Sequence, residues 1–386
     1  MRFFLVFFVF ISVYVVFCFG LRIGRDVEIV GAPESTIVRK TITVDKSGHG
    51  DFTRIQSAID SVPSFNSHWI RIRIRSGIYK EQVIVPIEKP FIMLEGDGPR
   101  STIISWGDAE DLIASATFSV WAGNFVARRI TFENTYNRVV RQPKQAVAAM
   151  VYGDKCSFYE CGFISLQDTL FDCMGRHYFY GCYIEGAIDF IFGTGQSIYE
   201  KCMIYVKTDP AMVPIGVVTA QGRDDPSDTS GFVFKYCEVH GTGMTYLGRA
   251  WRAYSRVLFF RSKLTGIVIP EGWDAWNFKD HEYDLSLSPE YFFFFFFLSS
   301  SSESTTCVSQ NGVGPTMFIV HHRHHRAFNQ HRLVWDKITY AEYGCNGAGS
   351  NTAHRVRWVK KLSESEVTQL SSLSFIDSEG WIKQQP

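Results

Sequence analysis

Apolar and polar positions alternate in short runs through much of the chain. In WIRIRIRSG, Ile70, Ile72 and Ile74 fall on one face of a strand and Arg71, Arg73 and Arg75 on the other. Five later runs share one pattern: FYECGFI (158–164), FYGCYIE (179–185), YEKCMIY (199–205), FKYCEVH (234–240) and FFRSKLT (259–265). Cys161, Cys182, Cys202, Cys237 and Ser262 stand in register, at intervals of 21, 20, 35 and 25 residues, with aromatic residues before that position and an apolar residue two after it. The longer intervals read as the same coil with longer loops. A period of roughly 20 residues, built from β-rich runs with Gly and Asp/Asn at the turns, predicts a solenoid of strands, a parallel β-helix. Helical repeats are longer, ~33 to 47 residues, and need a 3.6-residue apolar period that these runs lack.

In such a stack Cys161, Cys182 and Cys202 are expected inside as small apolar side chains rather than in disulfides. The arginine stripe of 71, 73 and 75 reads as a solvated strand face, with a polyanion-binding stripe as the competing reading. Both ends of the stack need caps. Asp51 ahead of Ile55, Ala58, Ile59 and Val62 predicts an N-capped helix closing one end. Ser363 and Glu366 predict a capping box ahead of Val367, Leu370 and Leu373 near the other. The fold class is therefore all-β, with short capping helices.

Two regions depart from this pattern. Residues 1–20, MRFFLVFFVFISVYVVFCFG, have a charged start at Arg2, an apolar stretch and small residues Cys18 and Gly20 placed like a cleavage site, and so read as a secretory signal. An uncleaved anchor is the competing reading, since residues 3–19 approach the ~18 apolar residues of a spanning helix. Residues 21–40 follow as a linker, and 41–386 as the β-helix domain. Within it, residues 284–334 carry six consecutive phenylalanines (Phe292 to Phe297), then LSSSSES, then HHRHHRAFNQHR. A Phe/Ser/Leu run is what a pyrimidine-rich tract encodes, so the stretch reads as mis-spliced sequence or a disordered insertion, and one expected to disrupt the last coils if translated. The cluster His321, His322, His324 and His325 lacks the ordered surroundings of a metal site.

Composition changes the picture little. The chain has 386 residues, 46% hydrophobic, enough for a sizeable core. Lys+Arg and Asp+Glu are equal at 39 each, which gives no argument for nucleic acid. Of nine cysteines, eight remain once Cys18 is removed with the signal.

Candidate chemistry begins with GAIDFIFG, where Asp189 interrupts an apolar run. One coil earlier lie Gln167 and Asp168, and another 22 residues before Gln167 lies Gln145. Residues one coil apart stack at the ~4.8 Å strand spacing, so the period gathers two carboxylates and two amides on one patch of wall. Neighbouring carboxylates cannot both ionise easily and divide into an acid and a base or nucleophile. The amides offer N–H donors for a developing oxyanion, and Arg249 can pair with the aspartate that stays charged. Outward projection of Asp189, with Ile188 and Phe190 pointing inward by strand alternation, would explain its apolar neighbours. Turn-forming aspartates stacked along a solenoid are the competing reading. Phe192, Trp251, Trp273 and Trp276 suit either sugar rings or an ordinary core.

The ordered motifs SGHGDFTRIQSAIDSVP, GIYKE (77–81), ITFENT (130–135), QAVA (145–148), QDTL (167–170), IDFIFG (188–193), TAQGR (219–223), LGRAW (247–251) and GWDAW (272–276) resemble the plant pectin methylesterase (pectinesterase) family. The resemblance runs from about Thr41 to Trp381 and is interrupted by residues 284–334. It implies a right-handed parallel β-helix that hydrolyses methyl esters of cell-wall homogalacturonan without metal or organic cofactor. It further implies Asp189 as nucleophile, Asp168 as general acid and then base, Gln145 and Gln167 as oxyanion amides, and Arg249 as the partner of Asp189. Phe192, Trp251 and Trp273, with Gln145 and Arg249, are implied to bind the sugar. A secreted, monomeric enzyme of the plant cell wall is expected, acting on pectin and meeting a proteinaceous inhibitor as partner.

Ala250 replaces the proline usual in the family's LGRPW, which is expected to loosen the backbone aiming Arg249 and Trp251. QDTLF continues as Asp172 and Cys173 where relatives carry YVH-like residues, which is expected to alter a subsite contact. The segment before Thr41 is short for the inhibitor-like pro-domain of many relatives. Competing functions are a β-helix pectin depolymerase, separated by chain shortening, and a catalytically inactive wall-binding relative. Sequencing the transcript across codons 280–340 tests the inserted stretch: a spliced message lacking the tract is expected, and one retaining it would refute the mis-splicing account.

Overall fold

Three parallel sheets wind into the walls of a β-helix, in a computed structural model that describes residues 36–140, 142–276 and 338–386. One sheet has ten strands, from Lys40–Val44 to Thr339–Tyr343, and each of the other two has eight. Every strand pairs in parallel with the strand one coil away. The expected signal, most of the linker and the stretch 284–334 lie outside the described residues, as does the histidine cluster.

The repeat marks one corner of each coil. Arg129, Glu160, Gly181, Lys201, Tyr236, Arg261 and Gly344 share a left-handed backbone, with φ between 48° and 63°. For the non-glycine residues this conformation costs about 1–2 kcal/mol each. The bends from Arg129 to Arg261 still keep the inter-coil ladder: Glu160 N–H donates to Tyr180 O at 2.9 Å, Tyr236 N–H to Phe260 O at 3.0 Å and Arg261 N–H to Tyr343 O at 2.7 Å. Just past the bend the side chain turns into the core: Ile130 fills that place in the first of these coils, and cysteine or serine fills it in the later ones, forming the ladder. The thiols of Cys182, Cys202 and Cys237 reach back to Phe158 O, Phe179 O and Tyr199 O at 3.3–3.4 Å, and Ser262 Oγ makes the equivalent bond to Phe234 O at 3.2 Å. Cys345 adds a rung that the sequence pattern missed, its thiol on Phe259 O at 3.3 Å. All described cysteines are free.

Ahead of the corner, rings stack at coil spacing: Phe158 on Phe179 at 5.0 Å, then Tyr199, Phe234 and Phe259, each 4.6 Å from the last. Burying each such side chain contributes ~1.5–3 kcal/mol. Ile70, Ile72 and Ile74 point into this core, and the arginine stripe is a solvated face whose charges pair with Glu95 and Asp97.

Both caps differ in detail from expectation. The helix Ile55–Asp60 does bury Ile55, Ala58 and Ile59, but Asp51 is too far from its first turn to cap it and instead accepts the Thr43 N–H at 2.7 Å. Glu81, a coil away, accepts from Ile55 N and Gln56 N at 2.8 and 3.1 Å, placing negative charge at the helix N-terminus. The helix Glu364–Ser371 has the expected capping box. It lies on the outer face of the ten-stranded sheet with Tyr178, Ile198 and Val233, because that face carries an apolar stripe of its own. The end of the core is packed instead by Val356, Trp358 and Val359.

Among the described residues, the last two strands of the ten-stranded sheet keep their pairing. Arg256–Phe260 pairs with Thr339–Tyr343 over five positions, contrary to the expected disruption. Arg355 binds Glu342 through two bonds of 2.8 and 3.0 Å and donates to Ile269 O and Pro270 O, tying the segment after residue 337 to the one before residue 277. A thiol titration tests the interior cysteine ladder: the denatured, unreduced chain should expose Cys161, Cys182, Cys202 and Cys237 as reactive thiols, whereas the folded chain should protect them. A disulfide among these four would contradict it.

Candidate active site

The coil register brings the predicted residues together. Gln145 pairs with Gln167, and Gln167 with Ile188, so Asp168 and Asp189 occupy matching positions one residue on. Asp168 N–H donates to Ile188 O at 3.0 Å. Neither aspartate lies in an extended strand. Their φ values are 59° and 47°, a left-handed bend that aspartate tolerates better than most residues. Outward projection thus comes from a second corner of the coil rather than from strand alternation. Phe190 does point into the core, but Ile188 is half-buried and does not. The turn-forming reading and the functional one describe the same two residues.

Both carboxyls are buried, 3% and 6% exposed, and their partners differ. Arg249 grips Asp189 through two bonds, Nε to Oδ1 at 2.6 Å and Nη2 to Oδ2. Among the described residues, the Asp168 carboxyl receives only the Gln145 amide, Nε2 to Oδ2 at 2.7 Å. Burial, and then the neighbouring Asp189 charge, push the Asp168 carboxyl up to about 8. Burial also raises the Asp189 carboxyl, against the opposing pull of Arg249. The pair therefore separates at neutral pH, with Asp168 protonated and Asp189 the better candidate for the charge. An open cavity of about 350 Å³ adjoins the amides of Gln145 and Gln167 and also touches Glu110 and Lys144.

Arg249 reaches Asp189 across an intervening strand. The outward row of this wall runs Ser119, Met150, Phe171, Phe192 and Ala220, then beside Ala220 comes Arg249 and after it Asp274. Phe171 and Phe192 stack at 4.4 Å, and Trp251 lies 6.3 Å from Phe192. Gly222 makes space for Trp251, since a Cβ there would stand 2.7 Å from the indole. These rings form an apolar strip beside the carboxylates.

Trp273 does not belong to that strip. It is 1% exposed, packed on Tyr340 at 4.5 Å, with its indole N–H on Glu342 at 3.2 Å. Strand alternation turns it inward while Asp274 faces out. The outer position falls to Trp276, whose ring centre is 3.7 Å from the Arg249 guanidinium carbon. Both tryptophans stand in GWDAW, and the motif alone does not say which faces the wall.

The residues that depart from the family pattern have distinct surroundings, and Cys173 is half-buried against the aromatic strip. Asp172 is wholly buried and touches no groove: it binds His177 Nδ1 and the Tyr199 hydroxyl, each at 2.5 Å. Gly195 is required there, because a Cβ would sit 1.9 Å from Asp172 Oδ1. Ala250 donates its N–H to Asp274 O at 3.4 Å, a bond that proline could not make.

Known proteins share the sequence and the fold of this chain. A family profile described as pectinesterase matches residues 41–291. The chain is 42% identical to probable pectinesterase 29 of Arabidopsis thaliana over 98% of each chain. It is 44% identical to probable pectinesterase 55 of the same plant, over 89% of this chain and 91% of the relative. The solved pectin methylesterase from carrot superposes with a TM-score of 0.71 at 29% identity, covering 91% of this chain and 97% of that one. Fold, order of motifs and similarity over nearly the whole length lead to one conclusion: the chain belongs to the pectinesterase family.

Proposed function

We propose that the chain hydrolyses the methyl esters of pectin, releasing methanol and leaving the polymer unshortened, with Asp189 as nucleophile. The observation that carries this reading is the division of labour between two stacked carboxyls, one gripped by Arg249 and one kept neutral by burial.

In the first half-reaction an Asp189 oxygen attacks the ester carbonyl carbon, and the carbonyl electrons move onto oxygen. In this reading the Gln145 and Gln167 amides donate to that oxyanion, the state they stabilise most, and the cavity that both residues line supports the assignment. Gln145 carries two N–H donors, so it can hold Asp168 with one and offer the other. Collapse breaks the bond to the methoxy oxygen, which takes the Asp168 proton and leaves as methanol. The sugar acyl group remains on Asp189 as an anhydride.

In the second half-reaction Asp168, now a carboxylate, removes a proton from water as the water oxygen attacks the sugar carbonyl. The bond to Asp189 breaks, freeing the galacturonate acid and restoring both aspartates. One hard hydrolysis becomes two easier steps. Trp251 and Trp276, half-buried over the buried Phe171 and Phe192, supply ring faces for the polymer, with Trp276 taking the place expected of Trp273. The site acts outside the cell, at the wall, where methyl-esterified pectin is found. Residues 41–386 form the functional unit, with 284–334 as an insertion between its last coils.

Methanol release from pectin by purified wild-type and variant chains tests this. Asp189→Asn should lower kcat by roughly a thousandfold or more while pectin binding persists. Unchanged turnover would end the nucleophile assignment. The acid form of Asp168 is lost as pH rises through about 8, so the rate should fall there. The Gln145 bond lowers the Asp168 pKa, so Gln145→Leu should move that alkaline limb upward while reducing kcat by about a hundredfold. A limb that stays in place or moves downward would contradict the assignment.

A further inference from the structure

We propose that Tyr340 is a positioning residue for ester cleavage: its hydroxyl pins the peptide from which Arg249 reaches Asp189. The inference rests on the reading in the preceding subsection and extends it to a residue outside the 41–291 match.

Tyr340 is an inward-facing residue of Thr339–Tyr343, paired with Val257 on the ten-stranded sheet. Its side chain crosses the coil interior to the strand Thr245–Arg249, on a different wall, and the hydroxyl donates to Arg249 O at 2.7 Å. The ring is fully buried, fixed by Trp273 at 4.5 Å and Trp358 at 5.8 Å. Burial raises its pKa, so the hydroxyl remains a donor through the working pH range.

The carbonyl of Arg249 and the N–H of Ala250 belong to one peptide group. Its oxygen is held by Tyr340 at 2.7 Å and its N–H by Asp274 O at 3.4 Å, the longer and weaker bond. A proline at 250 would restrict the backbone through its ring. With alanine there, orientation of this peptide falls to the two hydrogen bonds, and chiefly to Tyr340. A tilt of the peptide swings the Cα–Cβ direction of Arg249, whose guanidinium must span a whole strand to meet Asp189 with two bonds. On the solvent side the guanidinium is covered by Trp276. Arg249 is thus held by its carboxylate, by a ring above it and by a phenol beneath its backbone.

The test compares kcat, KM and the pH profile of methanol release for full-length wild type, Tyr340→Phe and Phe234→Leu. Phe234 is a core ring of the aromatic stack with no contact to Arg249 in that stack, so its variant reports general loosening. Tyr340→Phe should lower kcat about ten- to a hundredfold with KM little changed. Its acid limb should move to higher pH, because a loosened guanidinium opposes the burial of Asp189 less. Phe234→Leu should lower Tm without moving that limb. Should Tyr340→Phe fail to fold, Ala250→Gly, which frees the same peptide, must show the same pair of changes. Wild-type kcat and acid limb in the folded variant, or an equal limb shift in Phe234→Leu, would overturn the proposal. A wild-type chain that releases no methanol would instead overturn the preceding reading.

Discussion

Everything at the site depends on the backbone ladder between coils. Parallel strands hold successive turns about 4.8 Å apart, and left-handed bends let the chain turn corners without giving up the bonds that set this spacing. Because the register is kept through the bend at Asp168 and Asp189, two acidic side chains are forced into adjacent positions on a partly dehydrated wall. The ladder alone assembles them, coil on coil. The strain at the two bends is offset by the ladder on either side, so the same backbone feature that turns the coil also aims the carboxyls outward.

Electrostatics then distinguishes the pair. Burial alone would raise both pKa values, and with nothing else the two carboxyls would share a proton. Arg249 breaks that equivalence by bonding Asp189 and not Asp168, from a fixed origin at the end of its own strand. Two bonds to one carboxylate give orientation as well as charge. The chemistry is therefore a consequence of which coil carries the cation, and the origin of that cation is secured from inside the coil, by a residue that follows the interrupted stretch.

How much of this is legible in sequence depends on the range of the interaction. The cysteine register, the stacked rings and the spacing of Gln145, Gln167, Asp168 and Asp189 are periodic, so counting recovers them. Cys345 escaped because 83 residues separate it from Ser262, and the intervening stretch hides the period. Asp51 looked like a helix cap because capping is usually local, whereas Glu81 arrives from another coil. Trp273 and Trp276 share a motif, and only strand alternation in the folded chain assigns one to the core and one to the wall. Tyr340 has no local signature at all: its role exists only because the interior is narrow enough for a phenol to touch the opposite wall.

The claim beneath the whole account is that stacked carboxyls at 168 and 189 carry different charges at neutral pH. Infrared difference spectra of wild type against Asp168→Asn, recorded through a pH titration, address it directly. The account predicts a protonated carboxyl band at neutral pH that is missing in the variant and titrates near pH 8. An Asp168 signal already ionised at pH 6 would contradict it.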